Sequence, residues 1–465
     1  MNVCLVLCPG WYPQAPALGP ALLKAYLRAR GHEVRTIDFG GVTGAPPGDP
    51  VSEILKDRPD VVGFTVYQTT WSGSVALAER IKAREPRVSI VFGGPEGVRF
   101  LSEPARFGQR MHELGAVDAL VPGEGELALV ELLKRRSEDG GFGRSPGAFV
   151  KEEGSFVWSE GLEPVADLDS LPFPDFADYR PDRYGNSLQL VTYFSRGCPK
   201  KCVFCDVETY WKSWRNRSGR RVIEEVEHLA RKHSEAREFI FCDSILNAHI
   251  GQLREFCGYA VHSMATGRLP PISWWGYAVA RREMTYEIFR AMRSAGCRQL
   301  LFGIESGSQK VLNAMRKGCL VETAESVLRD CRRAGIDTIA LMMVGFPTET
   351  EADFEQTVSF VERNAASIGL LSPSEAFTYI DSGAPLWDSA YDRYGVARAT
   401  FHSSFWESQD GRNNYPERLR RFERLCLRAR AAGVAVGPTW QTVSREKDGK
   451  LAEYEAFRSR LAPAT

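Results

Sequence analysis

At 465 residues the chain is too long for one ordinary hydrophobic core, so two or three domains are expected. Hydrophobic residues make up 43% and charged residues 25%, as in soluble globular proteins. Lys plus Arg equals Asp plus Glu at 59 each, which leaves no net charge to drive binding to nucleic acid or anionic lipid. The apolar opening, 3–7, is too short to span a bilayer and has no basic segment before it, so a cytoplasmic protein is expected. Eleven cysteines in a chain this long do not form a disulfide scaffold. Three are clustered, and seven of the other eight lie singly in apolar surroundings, where a cysteine is usually a small core residue.

Strand and helix patterns alternate from the start. Strands are expected at 2–8, 33–39, 60–67, 88–92 and 119–121. Helices are expected at 21–30, at 74–84 and from the Gly123-Glu124-Gly125-Glu126 turn through Leu133. Five strands joined by helices predict a doubly wound, flavodoxin-like (Rossmann-like) domain over 1–145, with its ligand at the carboxyl ends of the strands. Periodicity is then lost. The segment LDSLPFPDFADYRPDRY, rich in Pro, Asp and aromatics, reads as an ordered linker within 146–186 that is neither helix nor strand.

Alternation resumes over 187–385. Strands are expected at 188–194, 238–241, 272–277, 298–303, 338–344 and near 377–380, with helices at 221–233, 285–295, 322–334 and 351–364. Six βα units predict a partial TIM-type (β/α)6 barrel with catalytic residues at the carboxyl ends of its strands. The last region, 386–465, is expected to be mostly helical, with one clear helix at 416–432. Trp406, Asp410 and Arg412 are candidates there for a substrate cavity, with surface packing as an equal alternative.

The segment SRGCPKKCVFC places Cys198, Cys202 and Cys205 in a CxxxCxxC loop directly after the first barrel strand. Three thiolates this close fold around one compact metal centre, and their softness favours zinc or an iron–sulfur cluster. A structural zinc site would need a fourth ligand nearby. No His lies between Cys205 and His228, and the next Cys is Cys242. With three ligands, one iron of a [4Fe–4S] cube stays open.

The loop resembles the signature of the radical S-adenosylmethionine (SAM) superfamily, including the aromatic Phe204 before the third cysteine. The resemblance implies that SAM chelates the open iron and is cleaved reductively to a 5′-deoxyadenosyl radical. An external electron donor of flavodoxin or ferredoxin type is also implied. Later segments are similar to the family in order: Phe241-Cys242-Asp243, WWGYAVARR, GIESGSQKVLNAMRKG and MVGFPTET. They imply SAM contacts from Phe204, Asp243 (amino group), Arg281 (ribose or carboxylate), Glu305 and Gly345 (backbone toward adenine). Asp243 stands where the family usually has Gly-Gly-Glu.

A doubly wound domain ahead of such a barrel resembles the cobalamin-binding class, on the cues VGFTVYQTT, IVFGGPEG, VPGEGE and LDSLPFPD. Gly93, Gly94 and Gly123 would let backbone approach a bulky flat ligand. Thr65, Tyr67, Thr69, Trp71 and Glu124 complete the implied cobalamin set, with ordinary strand-end polarity as the alternative for Thr65, Tyr67 and Thr69. The Asp-x-His-x-x-Gly motif that places histidine on cobalt is absent after the first strand, which reads CPGWYPQAPALG. The resemblance therefore implies cobalamin without a histidine ligand, or a degenerate domain that no longer binds it.

The implied activity is C-methylation of an unactivated carbon through the 5′-deoxyadenosyl radical and methylcobalamin. A cyclase or rearrangement that uses both cofactors without methyl transfer is the alternative. A methylthiotransferase fits less well, because only Cys4 and Cys8 precede Cys198. The substrate is expected to be a small molecule, natural-product intermediate, lipid or peptide, and no nucleic acid or membrane span is expected.

Overall fold

A computed structural model describes residues 1–9, 15–40, 48–102, 108, 110–180, 184 and 189–461. Its first strands are β1 (Asn2–Leu7), β2 (Glu33–Asp38), β3 (Val61–Thr65), β4 (Ser89–Gly94) and β5 (Ala119–Pro122). A hairpin follows, β6 (Ala148–Glu152) and β7 (Ser155–Ser159). Then come β8 (Gln189–Thr192), the two-residue strands β9 (Ser195–Arg196) and β10 (Arg215–Asn216), and β11 (Glu238–Phe241). The last are β12 (Ser273–Ala278), β13 (Cys297–Glu305), β14 (Asp337–Met342), β15 (Leu370–Pro373) and β16 (Ala435–Val436). The chain divides into two compact units, Met1–Thr192 with Thr209–Ile240, and Tyr193–Glu208 with Phe241–Thr465. Among the described residues no helix is long and apolar enough to cross a membrane.

In the first unit the sheet order is β2-β1-β3-β4-β5-β6-β7, parallel through β5 and antiparallel in the hairpin. Successive residues of β1 serve opposite faces. Val3 and Leu5 pack with Leu129, Leu132 and Leu133, whereas Cys4 and Val6 pack with Phe64, Phe92 and Ile81. Burial on both faces explains why these strands read as continuous apolar runs. The β6–β7 hairpin lies in the stretch where periodicity is lost, ahead of the LDSLPFPDFADYRPDRY segment. Phe149 and Trp158 pack across it with ring centroids 4.8 Å apart, the cross-strand pairing that sustains a short edge hairpin.

The rest of the linker is ordered through its aspartates. Asp178 accepts from the backbone N–H of Thr36 at 2.7 Å and pairs with the fully buried Lys24 at 2.7 Å. Asp175 pairs with Arg28 at 2.9 Å and Lys232 at 3.0 Å, and Asp169 accepts from the N–H of Ser218 at 3.1 Å. Residues that look like a loop composition are thus specific acceptors. Strands β8 and β11 are neighbours in this unit. The buried Glu225 accepts there from Thr192 at 2.6 Å and from Arg217 at 2.7 Å.

In the second unit β12, β13, β14, β15 and β16 form a continuous parallel ladder. The expected strand near 377–380 is displaced: the strand is β15, and Phe377 has a φ of +55° that ends extended structure. Phe377 and Ile380 are apolar because they are buried, Phe377 against Tyr415 and Phe422. The C-terminal region holds the expected helix, Tyr415–Ala431, and a second one, Thr439–Leu461. That second helix buries only Val443 and Tyr454, too few apolar positions to show a stripe in sequence.

The GIESGSQ segment explains its own composition. A Cβ on Gly307 would lie 2.6 Å from the Cβ of Phe360 and 2.7 Å from the carbonyl of Gln356. Only glycine lets this turn touch the helix Glu351–Arg363. Around it the hydroxyls of Ser306 and Thr357 lie 3.0 Å apart, and Ser308 donates to Asp353 at 2.9 Å. Burial pushes the Asp353 carboxyl up, but bonds from Lys310, Thr350 and Ser308 outweigh it and hold it at about 2.

Gly307→Ala is expected to lower unfolding stability by about 1–3 kcal/mol, measured by chemical denaturation, because the contacting atoms are backbone and Cβ. The folded-state value for Asp353 lies below its unfolded value of about 3.9. Its stabilisation is therefore complete above about pH 4 and lost as pH falls through about 2. The melting-temperature gap between wild type and Asp353→Asn should accordingly narrow over that acid window.

Candidate active site

The three cysteines occupy the loop between β9 and the short helix Val207–Tyr210. All three are free thiols of intermediate burial. Gly197, at φ +79°, turns the chain into the loop. The loop is held at its centre by main chain. Val203 is buried, its N–H donates to the carbonyl of Met315 at 3.1 Å, and its carbonyl accepts from the N–H of Leu386 at 2.7 Å. Residue 203 is thus fixed on two sides, while its neighbours Cys202 and Cys205 remain partly open. The Cys205 N–H donates to the Cys202 carbonyl at 3.2 Å, which tightens the turn further.

Below the loop lies an aromatic floor. Phe194 stacks on Phe241 at 5.0 Å, and Phe256 and Trp274 pack edge-on against Phe241 at 5.4 and 5.1 Å. Asp243, 2% exposed, accepts from the N–H of Phe194 at 2.9 Å, the N–H of Ser195 at 2.6 Å and the Ser195 hydroxyl at 2.7 Å. The sequence reading gives Asp243 to the SAM amino group. In the structure its carboxylate accepts from the backbone that enters the cysteine loop. Asn247, fully buried, exchanges two bonds with the backbone of Val279, at 2.9 and 3.0 Å, and so joins the loops after β11 and β12.

Glu305 ends β13 at φ +66°, an uncommon conformation for a non-glycine residue, beside a register shift after Gly303. Its Oε1 accepts from Lys317 Nζ at 2.7 Å, and both side chains are largely buried, at 13% and 10% exposure. Lys317 also lies 5.7 Å over the ring of Phe204 and in electrostatic reach of Cys202 and Cys205. Burial pushes the Cys205 thiol up to about 11 and raises that of Cys202, where Lys317 opposes the rise. Sequence reasoning missed Lys317, although it closes the same GIESGSQKVLNAMRKG segment that supplied Glu305.

Two other expected SAM contacts have different surroundings. Arg281 donates to the carbonyls of Asn247 and Ala248, at 3.2 and 2.9 Å, and pairs with Glu283 at 3.1 Å. Gly345, expected to offer open backbone to adenine, is buried. Its N–H donates to Glu349 at 2.7 Å, and its carbonyl accepts from Asn413 at 3.1 Å. A Cβ there would lie 2.3 Å from Arg418, so the C-terminal region covers this turn. Trp406 is likewise fully buried, donating to the Thr378 carbonyl at 2.9 Å beneath Arg418, while Asp410 and Arg412 are exposed. Cys242 is the exposed exception among the single cysteines, and Tyr277 is 41% exposed.

In the first unit Thr65, Gly93, Gly94 and Gly123 lie at the carboxyl ends of β3, β4 and β5. Gly94, at φ +90°, leaves no room for a Cβ, which would meet the N–H of Val66 at 2.9 Å. Tyr67 precedes the turn Gln68–Thr70 and Thr69 lies within it, where the Tyr67 N–H donates to the Thr70 hydroxyl at 2.9 Å. Trp71 points into the core beside Phe92 and Phe100, and its indole N–H donates to Glu113 at 2.5 Å, so packing accounts for it. Glu124 is ion-paired with Arg215. Residues 10–14 of the loop after β1, where the histidine motif is absent, lie outside the described residues.

Three free thiols on one loop, with no fourth ligand among them, match a [4Fe–4S] cluster that keeps one iron open. Each single cysteine-to-alanine change should cut bound iron after anaerobic reconstitution severalfold. Asp243→Asn turns an amide donor toward backbone N–H groups, and should lower both iron retention and stability, the latter by about 1–3 kcal/mol.

A radical SAM superfamily profile matches residues 192–361, and a B12 binding domain profile matches residues 12–133. The chain is 30% identical over 354 residues to an uncharacterised methyltransferase of Pyrococcus horikoshii, covering 75% of this chain and 73% of that one. It is 28% identical over 352 residues to the anaerobic magnesium-protoporphyrin IX monomethyl ester cyclase of Rubrivivax gelatinosus, covering 74% of this chain and 61% of that one. The fold is similar to that of the radical SAM methyltransferase TsrM from Kitasatospora setae. The TM-score is 0.66 and the identity 20%, over 90% of this chain and 83% of that one.

Proposed function

The chain belongs to the radical SAM superfamily, in the group that carries a B12-binding domain ahead of the barrel, and we propose that it methylates an unactivated carbon. The substrate class is a small molecule, a lipid or a peptide. The observation that carries this reading is the cysteine loop of Cys198, Cys202 and Cys205, held in place beside the Glu305–Lys317 pair, in a chain whose first unit has the B12-binding fold. The cofactors are a [4Fe–4S] cluster, SAM and cobalamin, which supply when bound a low-potential electron, a radical source and a methyl carrier.

The protein's own residues provide position and shelter. Cys198, Cys202 and Cys205 would ligate the cluster, and Asp243 and Val203 fix the loop that bears them. Glu305, at the end of β13, would take the SAM ammonium, and Phe204 would pack beside it. Strand ends at Thr65, Gly93, Gly94 and Gly123 would receive cobalamin, with Tyr67 and Thr69 next to them. The methyltransferase relative supports methyl transfer. The cyclase relative favours a second reading, in which both cofactors serve a ring closure without a new carbon–methyl bond.

Anaerobic reconstitution with iron, sulfide and hydroxocobalamin tests the reading. Stoichiometric cobalt beside a full cluster is expected, with reductive release of 5′-deoxyadenosine from SAM. With a true substrate, S-adenosylhomocysteine and 5′-deoxyadenosine should form in equal amounts alongside a product one methyl heavier. Deoxyadenosine and a modified product without mass gain would overturn methyl transfer in favour of the cyclase reading. A full cluster with no cobalt would remove cobalamin from the reaction.

A further inference from the structure

Lys317 is placed with unusual care for a lysine. It follows the helix Gln309–Ala314, whose end is closed by the Lys317 N–H donating to the carbonyl of Leu312 at 3.0 Å. Arg316 and Gly318, at φ +53° and +62°, flank it in left-handed backbone, so the chain bends sharply on both sides. The same segment is fastened to the cysteine loop twice, by the Val203 N–H to the Met315 carbonyl and by Lys200 to the Gly318 carbonyl at 3.3 Å. Gly303 makes room for the side chain: a Cβ there would stand 2.7 Å from both Glu305 Oε1 and Lys317 Nζ. A four-carbon stem that reaches a buried carboxylate through a glycine gap is expensive to desolvate, yet its amine sits 2.7 Å from Glu305 and 5.7 Å over Phe204, the residue between Val203 and Cys205 in the cysteine loop.

We propose that Lys317 sets the charge of the cluster site, its ammonium offsetting the anionic cube and thiolates and thereby raising the cluster's reduction potential. A cube held by three thiolates is anionic and gains one further negative charge when it accepts an electron from a low-potential donor. A fixed cation within reach stabilises the reduced form more than the oxidised one, and net charge around a cluster is a main determinant of its potential. Glu305 works in the opposite sense. It orients Lys317 and tempers its charge, so the two residues tune the potential as a pair. Lys317 is a positioning residue that acts through field and orientation. This inference rests on the cluster assignment above.

The test uses full-length wild type, Lys317→Met, Lys317→Arg and Glu305→Gln, each loaded anaerobically and assayed for iron. The cluster is then titrated by EPR-monitored reduction without SAM. At the poise where half the wild-type cluster is reduced, Lys317→Met should hold at least tenfold less reduced relative to oxidised cluster, equivalent to about 59 mV for one electron. Lys317→Arg should restore the wild-type midpoint. Glu305→Gln should move the midpoint the other way, which a merely structural role would not do. A Lys317→Met midpoint within threefold of wild type, or shifts of the same sign in both variants, would overturn the proposal. If Lys317→Met loads no iron, an unshifted Glu305→Gln midpoint overturns it. Failure of the wild type itself to load a cluster would instead remove the assignment on which it rests.

Discussion

The cysteine loop depends on how Val203 is held. A loop of free thiols has no reason to stay ordered until metal arrives, because thiols are weak hydrogen-bond partners and half-buried ones gain little by packing. Here order comes from the main chain. Both polar groups of Val203 are committed, one to Met315 and one to Leu386, and its side chain is buried. Asp243 secures the entry to the loop with three bonds to Phe194 and Ser195. Around that fixed point the rest follows: the aromatic floor of Phe194, Phe241, Phe256 and Trp274, and the Glu305–Lys317 pair at the end of β13.

Much of this was legible in the sequence, and the exceptions have physical causes. The cysteine triplet, the strand–helix alternation and the glycine-rich turns are local signals. Each depends on residues a few positions apart. The β6–β7 hairpin was not legible because its strands are only five residues each, β6 ending in Lys151-Glu152 and β7 bounded by serines. The apolar signal at 377–380 comes from burial, Phe377 against Tyr415 and Phe422 of the C-terminal helix, and burial alone gives the same signal as a strand. The motif gives no sign of the packing partners of Asp243 and Gly345. These partners, Phe194, Ser195 and Arg418, are distant in sequence and leave no trace at the motif itself. Lys317 is the converse case, a polar residue in plain view whose partner, Glu305, lies twelve positions away.

The first unit shows how a segment without periodicity can still be specific. Asp169, Asp175 and Asp178 accept from Ser218, Arg28 with Lys232, and Thr36 with Lys24, and the cation at Lys24 is fully enclosed. Polar side chains here do what apolar stripes do elsewhere, fixing the path of the chain between two regular regions. The strand ends nearby carry glycine where a close approach demands it, as at Gly94 against Val66.

The covering of Gly345 by Arg418 bears on how these enzymes diversify. Substrate range in multi-part enzymes is often imagined to reside in a detachable tail. In this protein the tail supplies Asn413 and Arg418 to the turn that closes β14, and it adds β16 to the edge of the ladder. It is therefore a structural part of the barrel as well as a neighbour of it. A tail grafted from a relative would have to bring a matching amide and guanidinium for that turn, so tail and barrel are expected to change together over evolution rather than be exchanged as modules.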